Sequence, residues 1–359
     1  MFRSVSIHGF KGLNELKLGP LGQVNVIGGM NNVGKTSILE AIFLALDRLD
    51  PQMFIRLLSW RGVETITAGE SMWLPFFTNE DSKGKIRISF ESSRRKIQQV
   101  EYSNYHEGST FALPISKSGN LDIRGTRVEG LHNIGTALLI KATADGKPVQ
   151  DSLLKFSPGQ FGLEHRRAAI PETKVARAFM TKFMANADEA ETFTRVDSEG
   201  KADQVTDALR AVDSRVKEIS IGVEGGAPRL LVKLDGMHRK FPLALLGDGA
   251  RRIVSLVLAI LDRPDSLILV DEIENGIHYS KQDVMWDAVF RAAQASGSQV
   301  IATTHSRECL LSARHASEPH DGALVYFRLQ RRKNANDITV ERYSSDEFIE
   351  AIDADLEVR

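Results

Sequence analysis

Gly29, Gly34, Lys35 and Thr36 stand in the text GGMNNVGKTS as G-x-x-x-x-G-K-T, the spacing of a loop that wraps phosphate. The glycines let successive backbone N–H groups turn inward around phosphate oxygens. Lys35 supplies a mobile cation for the outer phosphates, and Thr36 a hydroxyl for magnesium. A second chemical stretch, SLILVDEIENGIHYS (266–280), is an apolar run ending in two acids. Asp271 is suited to the shell of a magnesium ion and Glu272 to polarising an attacking water. Neighbouring strand residues point to opposite faces, but a chain turning at the strand's end lets both acids serve one site. In SQVIATTHSRECL (298–310), Val300 and Ile301 lead to Thr303, Thr304, His305 and Ser306. A histidine there can hold the water or sense the terminal phosphate near neutral pH, while Ser306 also suits a helix N-cap.

The elements that must position these groups are legible around them. Val24, Val26 and Ile27 form a strand-prone run before the loop, and Ile38, Leu39, Ile42 and Leu46 recur at helical spacing after it. The start of that helix adds unpaired N–H groups and a favourable dipole. From residue 249 onward the text reads helix, strand, helix, strand, helix, a strand pair and a last helix, which argues for a mainly parallel sheet covered by helices. Leu246-Gly247-Asp248-Gly249 precedes the first of these helices, with Arg251 and Arg252 in its opening turns. Such a turn can form a second anion-binding surface or be a simple Gly-rich helix start. It reaches the Gly29–Thr36 pocket only from another direction, as a second subunit would.

The rest of the chain is less specific. Residues 2–8 alternate as a strand, followed by a GFKGLNEL turn region; between 85 and 144, KIRISFE, IQQVEY, TFALPI and ALLIKA read as an added antiparallel layer. Pro148, Pro158 and two glycines suggest a boundary over 148–164. The proline-free 172–218 stretch carries Val175, Phe179, Phe183, Ala208, Leu209, Val212 and Val216 at helical intervals, with a break near Asp197–Gly200. RLLVKLDGMHRKFPL is a hairpin candidate turning at Asp235-Gly236. The expected division is an N-terminal lobe over 1–150, a helical arm or side lobe over 151–225, and a C-terminal lobe over 226–359.

Composition sets outer limits. With 359 residues, 42% of them hydrophobic, the chain can bury a large core as one domain or two lobes. A formal net charge of -1 gives no bulk attraction to nucleic acid or an anionic membrane. Lys83, Lys85, Arg87, Arg94, Arg95 and Lys96 form a local basic cluster that suits duplex DNA or, more blandly, a solvated sheet edge. The single cysteine, Cys309, excludes an intrachain disulfide framework and a multi-cysteine zinc site. The N-terminus lacks a signal-peptide core, and no run reaches the ~20 apolar residues of a membrane helix. The expectation is a soluble, cytoplasmic protein.

GGMNNVGKTSILEAI, LLGDGARR, LILVDEIENGIHYS and ATTHS together resemble the ATP-binding-cassette heads of the SMC/RecF/Rad50 group, and more closely the OLD-like ATPases grouped as AAA15 or AAA21. The resemblance implies an α/β cassette ATPase head with a mixed sheet, an added antiparallel β layer and a helical arm. It implies that Asn31, Asn32, Val33, Gly34, Lys35, Thr36 and Ser37 contact phosphates or magnesium, and that Thr36 and Asp271 hold the ion. Glu272 would be the general base, His305 the switch histidine, and Gly247, Asp248 and Gly249 the signature that meets ATP on a partner subunit. Asn275-Gly276 would face the dimer, and Phe10 and Lys11 would line the nucleotide. The implied cofactors are ATP and Mg2+, and the implied assembly is a homodimer closed on two nucleotides, with room for a higher oligomer, a separate effector protein, or DNA. The expected role is a regulator ATPase of an antiphage system; the alternatives are a RecF-like repair ATPase and a nucleotide-dependent scaffold. Two departures stand out. No glutamine lies between Gln52 and Gln98 to serve as a Q-loop, where Asn79 is the substitute. Asp353-Ala354-Asp355 has a Toprim-like spacing, but it reads as a solvated terminal helix, so intrinsic nuclease activity is not expected.

Overall fold

The computed structural model describes residues 1–63, 72–92, 98–104, 137–157, 160–168, 177–179, 186–320, 322–331 and 338–353. The strands are β1 (Phe2–Phe10), β2 (Leu13–Leu18), β3 (Val24–Gly29), β4 (Lys85–Ser92), β5 (Gln98–Asn104), β6 (Ala137–Ala144), β7 (Lys147–Ser157), β8 (Gln160–Ala168), β9 (Arg177–Phe179), β10 (Val216–Glu224), β11 (Ala227–Leu234), β12 (Phe241–Pro242), β13 (Leu267–Val270), β14 (Gln299–Thr303), β15 (Leu324–Arg331) and β16 (Ile338–Ser344). The helices are α1 (Lys35–Leu46), α2 (Met53–Trp60), α3 (Asn186–Ser198), α4 (Ala202–Val212), α5 (Asp248–Leu261), α6 (Gln282–Ser296), α7 (Arg307–Ser317) and α8 (Ser345–Asp353).

The site is carried by a six-stranded sheet in the order β16-β15-β3-β14-β13-β9. It is parallel from β15 to β9, and β16 closes one edge antiparallel. Its central strands are buried at every position, which is why they appear in the sequence as largely apolar runs, interrupted in β3 by buried Asn25, instead of alternating ones. Successive side chains still enter different cores. Val24, Val26, Val270, Val300 and Ala302 join one core with α5, α6 and α7, while Ile27, Leu269, Ile301 and Phe327 join another with α1. The helices on both faces cover the sheet and leave the C-terminal ends of β3, β13 and β14 free to carry polar groups.

A seven-stranded antiparallel sheet, β2-β1-β4-β5-β6-β7-β8, lies on the α1 side. Val5, Ile7, Ile88, Val100, Tyr102 and Ile140 alternate into the α1 core. The expected antiparallel layer is present in β4, β5 and β6; TFALPI lies outside the described residues. The GFKGLNEL region is not a plain turn, because β1 runs to Phe10 and β2 pairs back on it, Phe10 opposite Leu13. Nor is 148–164 a boundary. β7 and β8 pair with each other and with β6 in the same sheet, so a division at 150–151 cuts a strand.

The helical stretch ends earlier than its spacing suggests. α3 and α4 are separated at 199–201, as the Asp197–Gly200 break anticipates, but Val216 begins β10 and Phe179 ends β9, a strand paired with β13. Val175 and Phe183 lie outside the described residues. α3 and α4 are not a projecting arm. Phe193, Val196, Val205 and Leu209 share the core of α5 and α6, and buried Glu189 accepts hydrogen bonds from Arg251 Nε at 3.0 Å and Ser255 Oγ at 2.7 Å on α5. β10 and β11 form a hairpin on Gly225 and Gly226, both at positive φ, as a two-residue type I′ turn requires. β12 adds the short return expected after Asp235-Gly236.

Candidate functional site

The loop between β3 and α1 is shaped by backbone that only glycine adopts easily. Gly29 has φ 137° and Gly34 φ 101°, and Asn32 is also left-handed at φ 62°. A Cβ on Gly29 would lie 2.5 Å from the Leu329 carbonyl oxygen, so the close approach to β15 excludes a side chain. Val33 is 4% exposed and anchors the loop, while Asn31 and Asn32 are exposed. No side chain caps the start of α1, which leaves its first N–H groups for an anion. Lys35 Nζ donates to the carbonyls of Gly29 at 2.7 Å and Met30 at 2.9 Å. Burial holds its pKa below the usual lysine value, against the pull of Asp271, Glu274 and Glu272.

Asp271 follows directly on β13 and joins the loop to the sheet. Its buried carboxylate accepts from Thr36 Oγ1 at 2.9 and 3.1 Å, and from Thr303 Oγ1 at 2.6 Å. Burial pushes Asp271 above the usual carboxylate range in spite of those two hydroxyls. A hydroxyl and a carboxylate held together are hard oxygen donors of the kind magnesium takes, so Thr36 and Asp271 fit that ion. Glu272 sits at φ 47°, the turn that carries the chain out of the strand. Its N–H donates to Thr303 Oγ1 at 2.9 Å, and its carboxylate accepts from Asn275 Nδ2 at 2.8 Å.

The end of β14 mirrors this arrangement. Thr304, fully buried, donates to Glu274 Oε1 at 2.7 Å, and the His305 N–H donates to the same oxygen at 3.1 Å. The His305 ring, 46% exposed, has Nδ1 3.2 Å from that oxygen. Ser306 does cap α7, accepting from the Cys309 N–H at 3.1 Å. Thr303 and Thr304 thus each hold one acid of the 271–274 turn. Glu274, Thr303 and Thr304 were not assigned roles from sequence. An acid in a Gly- and Asn-containing turn reads as a surface group, and only the topology that sets β13 beside β14 shows otherwise. Buried Arg252 on α5 also lies in the field of Asp271 and Glu274, with burial holding its pKa down.

Other expected residues are placed differently. Phe10 is fully buried against Phe76. Lys11 Nζ is 2.6 Å from the buried Glu40 carboxylate, which also takes Arg61 at 2.6 Å. Asn79 is exposed at φ 55° and lines a separate polar cleft with His8, Thr78, Asp81 and Lys85. Gly247 and Asp248 are exposed where α5 begins. Gly249 lies so close to the Asn275-Gly276 turn that a Cβ would be 3.1 Å from the Gly276 carbonyl. No hydrogen bond among the described residues joins 247–249 to 29–37.

A phosphate loop, a hydroxyl–carboxylate pair and a polar strand end beside them, set on a helix-covered parallel sheet, are the parts of a P-loop ATPase site on a cassette-like head fold. The chain belongs to the AAA_21 family, whose model, described as "AAA domain, putative AbiEii toxin, Type IV TA system", matches residues 24–311. It is 23% identical over 326 residues to an "ATP/GTP phosphatase" of Helicobacter pylori, covering 86% of each chain. An uncharacterized protein of Methanocaldococcus jannaschii is 45% identical over 95 residues, 25% of this chain and 42% of that one. Among solved structures, an SMC head bound to the C-terminal winged-helix domain of ScpA aligns at TM-score 0.52 and 12% identity, over 97% of this chain and 99% of that one. An SMC head with an extended coiled coil, bound to the C-terminal domain of ScpA derived from Pyrococcus furiosus, gives TM-score 0.50 at 12% identity and covers 98% of both chains. These two alignments speak to the fold. Among the described residues no helix is long and apolar enough to cross a membrane.

Proposed function

We propose that the chain hydrolyses ATP and couples hydrolysis to the closing and opening of a homodimer. The observation that carries this reading is the bond from Thr36 to Asp271, which brings the loop and the acidic strand end into one site. Lys35 would leave its two loop carbonyls for the outer phosphates, and Glu272, released from Asn275, would orient and deprotonate the attacking water. His305 would face the terminal phosphate. The magnesium held by Thr36 and Asp271 would supply charge neutralisation on the phosphate oxygens. The exposed Gly247-Asp248-Gly249 turn would grip the nucleotide of a second copy.

The family description, with its toxin–antitoxin vocabulary, and the SMC heads solved with a separate ScpA domain support a regulator that acts through a separately encoded effector, as in antiphage defence. The duplex-DNA reading has less support, because Lys85 and Arg87 are both bound by Glu101, at 2.9 and 2.7 Å; Arg94, Arg95 and Lys96 lie outside the described residues. Stimulation of ATPase by duplex DNA that fades with salt would restore it. The test of the main reading is Glu272→Gln with Mg-ATP. Light scattering should show a trapped dimer at micromolar protein, and a variant that stays monomeric while binding ATP overturns the clamp.

A further inference from the structure

We propose that Glu274 is a positioning residue for His305: it fixes the proton on Nδ1 and turns Nε2 toward the nucleotide. The inference rests on the ATPase reading for its kinetic consequence, but its structural part stands by itself. Glu274 is 8% exposed, and a single oxygen, Oε1, faces the Thr304 hydroxyl, the His305 N–H and His305 Nδ1 at 2.7, 3.1 and 3.2 Å. A carboxylate accepts and does not donate, so a negative oxygen 3.2 Å from Nδ1 favours the proton on that nitrogen. Nε2 is therefore the nitrogen available to water or to a phosphate oxygen. The backbone N–H of His305 is hydrogen-bonded to the same oxygen that its ring Nδ1 approaches at ion-pair distance, which sets the ring beside a fixed negative charge. Oε2 is buried and has no hydrogen-bond partner. A buried carboxylate is costly unless it is compensated, and the compensation here comes from these donors and from the field of Lys35 and Arg252. A plain surface cap has no use for such a placement, whereas the orienting partner of a catalytic histidine does.

The test compares Glu274→Met, which keeps volume without an acceptor, and Glu274→Ala with His305→Ala and the double variant Glu274→Met/His305→Ala. Steady-state ATPase with Mg-ATP should show kcat lowered about 100-fold in either Glu274 variant with little change in KM. The double variant should be no slower than His305→Ala, because both changes remove one function. Independently of turnover, long-range proton–nitrogen spectra of 15N-histidine-labelled protein should show His305 protonated on Nδ1 in the wild type and shifted toward the Nε2 tautomer in Glu274→Met. Multiplicative kcat losses, or a His305 tautomer unchanged in Glu274→Met, overturn the proposal. If the wild type hydrolyses no ATP, the function reading fails and the spectra alone decide the role of Glu274.

Discussion

The strand-end cluster and the Gly247–Gly249 turn are both expected from sequence to meet nucleotide, yet they are built in opposite ways. At the first, Thr36 and Thr303 hydrogen-bond to Asp271 and Thr304 to Glu274, all in buried or half-buried positions. At the second, Gly247 and Asp248 stand in solvent, and only the base of the turn packs, on Gly276. A buried polar network must be satisfied from within the chain, because each unpaired group costs stability. An exposed turn carries no such demand and is free to be completed from outside. On the proposed function, the contrast separates a half-site finished by folding from one that assembly would finish.

The largest effects test whether the two halves belong to different subunits. Lys35→Met should lower ATPase about 100-fold or more by removing the cation at the phosphates, and Asp248→Lys should do so by forcing a longer side chain of opposite charge into the turn that would meet the partner's nucleotide. Mixed together, they should regain activity, because a heterodimer contains one site with an intact Lys35 and an intact partner turn. A mixture as inactive as its components, in samples shown to exchange subunits, breaks the comparison. An intermediate effect separates the halves by stability. Thr303→Val keeps the shape but strips Asp271 and the Glu272 N–H of their shared partner, and should cost about 1–3 kcal/mol by urea unfolding. Asp248→Ala should stay within about 0.5 kcal/mol of wild type; equal losses would mean that the turn is structural.

Much of this was legible in the sequence for a physical reason. β3, β13 and β14 are buried on both faces, so their apolar runs stand out, and the polar residues that end them mark the strand ends where chemistry sits. The elements after residue 249 follow the expected order throughout. What was missed lacked such a signal. β2 alternates Leu13, Leu16 and Leu18 with Asn, Glu and Lys behind two glycines and so resembles a turn. β8 carries Glu164, His165, Arg166 and Arg167, which hide its pairing with β7. Val216 falls on a helical interval by coincidence, after α4 has ended. Glu274 was invisible because its burial depends on β14, a strand contributed from some thirty residues away in the chain.

The smallest expected effect concerns Lys35 in the unliganded protein. Burial holds its pKa below 10.5, with Asp271, Glu274 and Glu272 opposing the shift. The unfolded chain therefore binds this proton more tightly than the folded one. Between the folded-state pKa and the ordinary lysine value, unfolding takes up a proton, so stability from this group rises with pH; below both values the penalty is full and constant. Lys35→Met removes the group, so the stability of wild type relative to the variant should climb as pH rises through the alkaline range and be flat under acidic conditions. ATP should suppress that climb, since phosphate charge favours the protonated lysine. Asp248→Ala, on the exposed half, should leave the profile as it is. Urea midpoints across a pH series would read all three. A flat difference throughout would mean that the two loop carbonyls fully offset burial, and that the closed half-site holds its lysine without cost before nucleotide arrives.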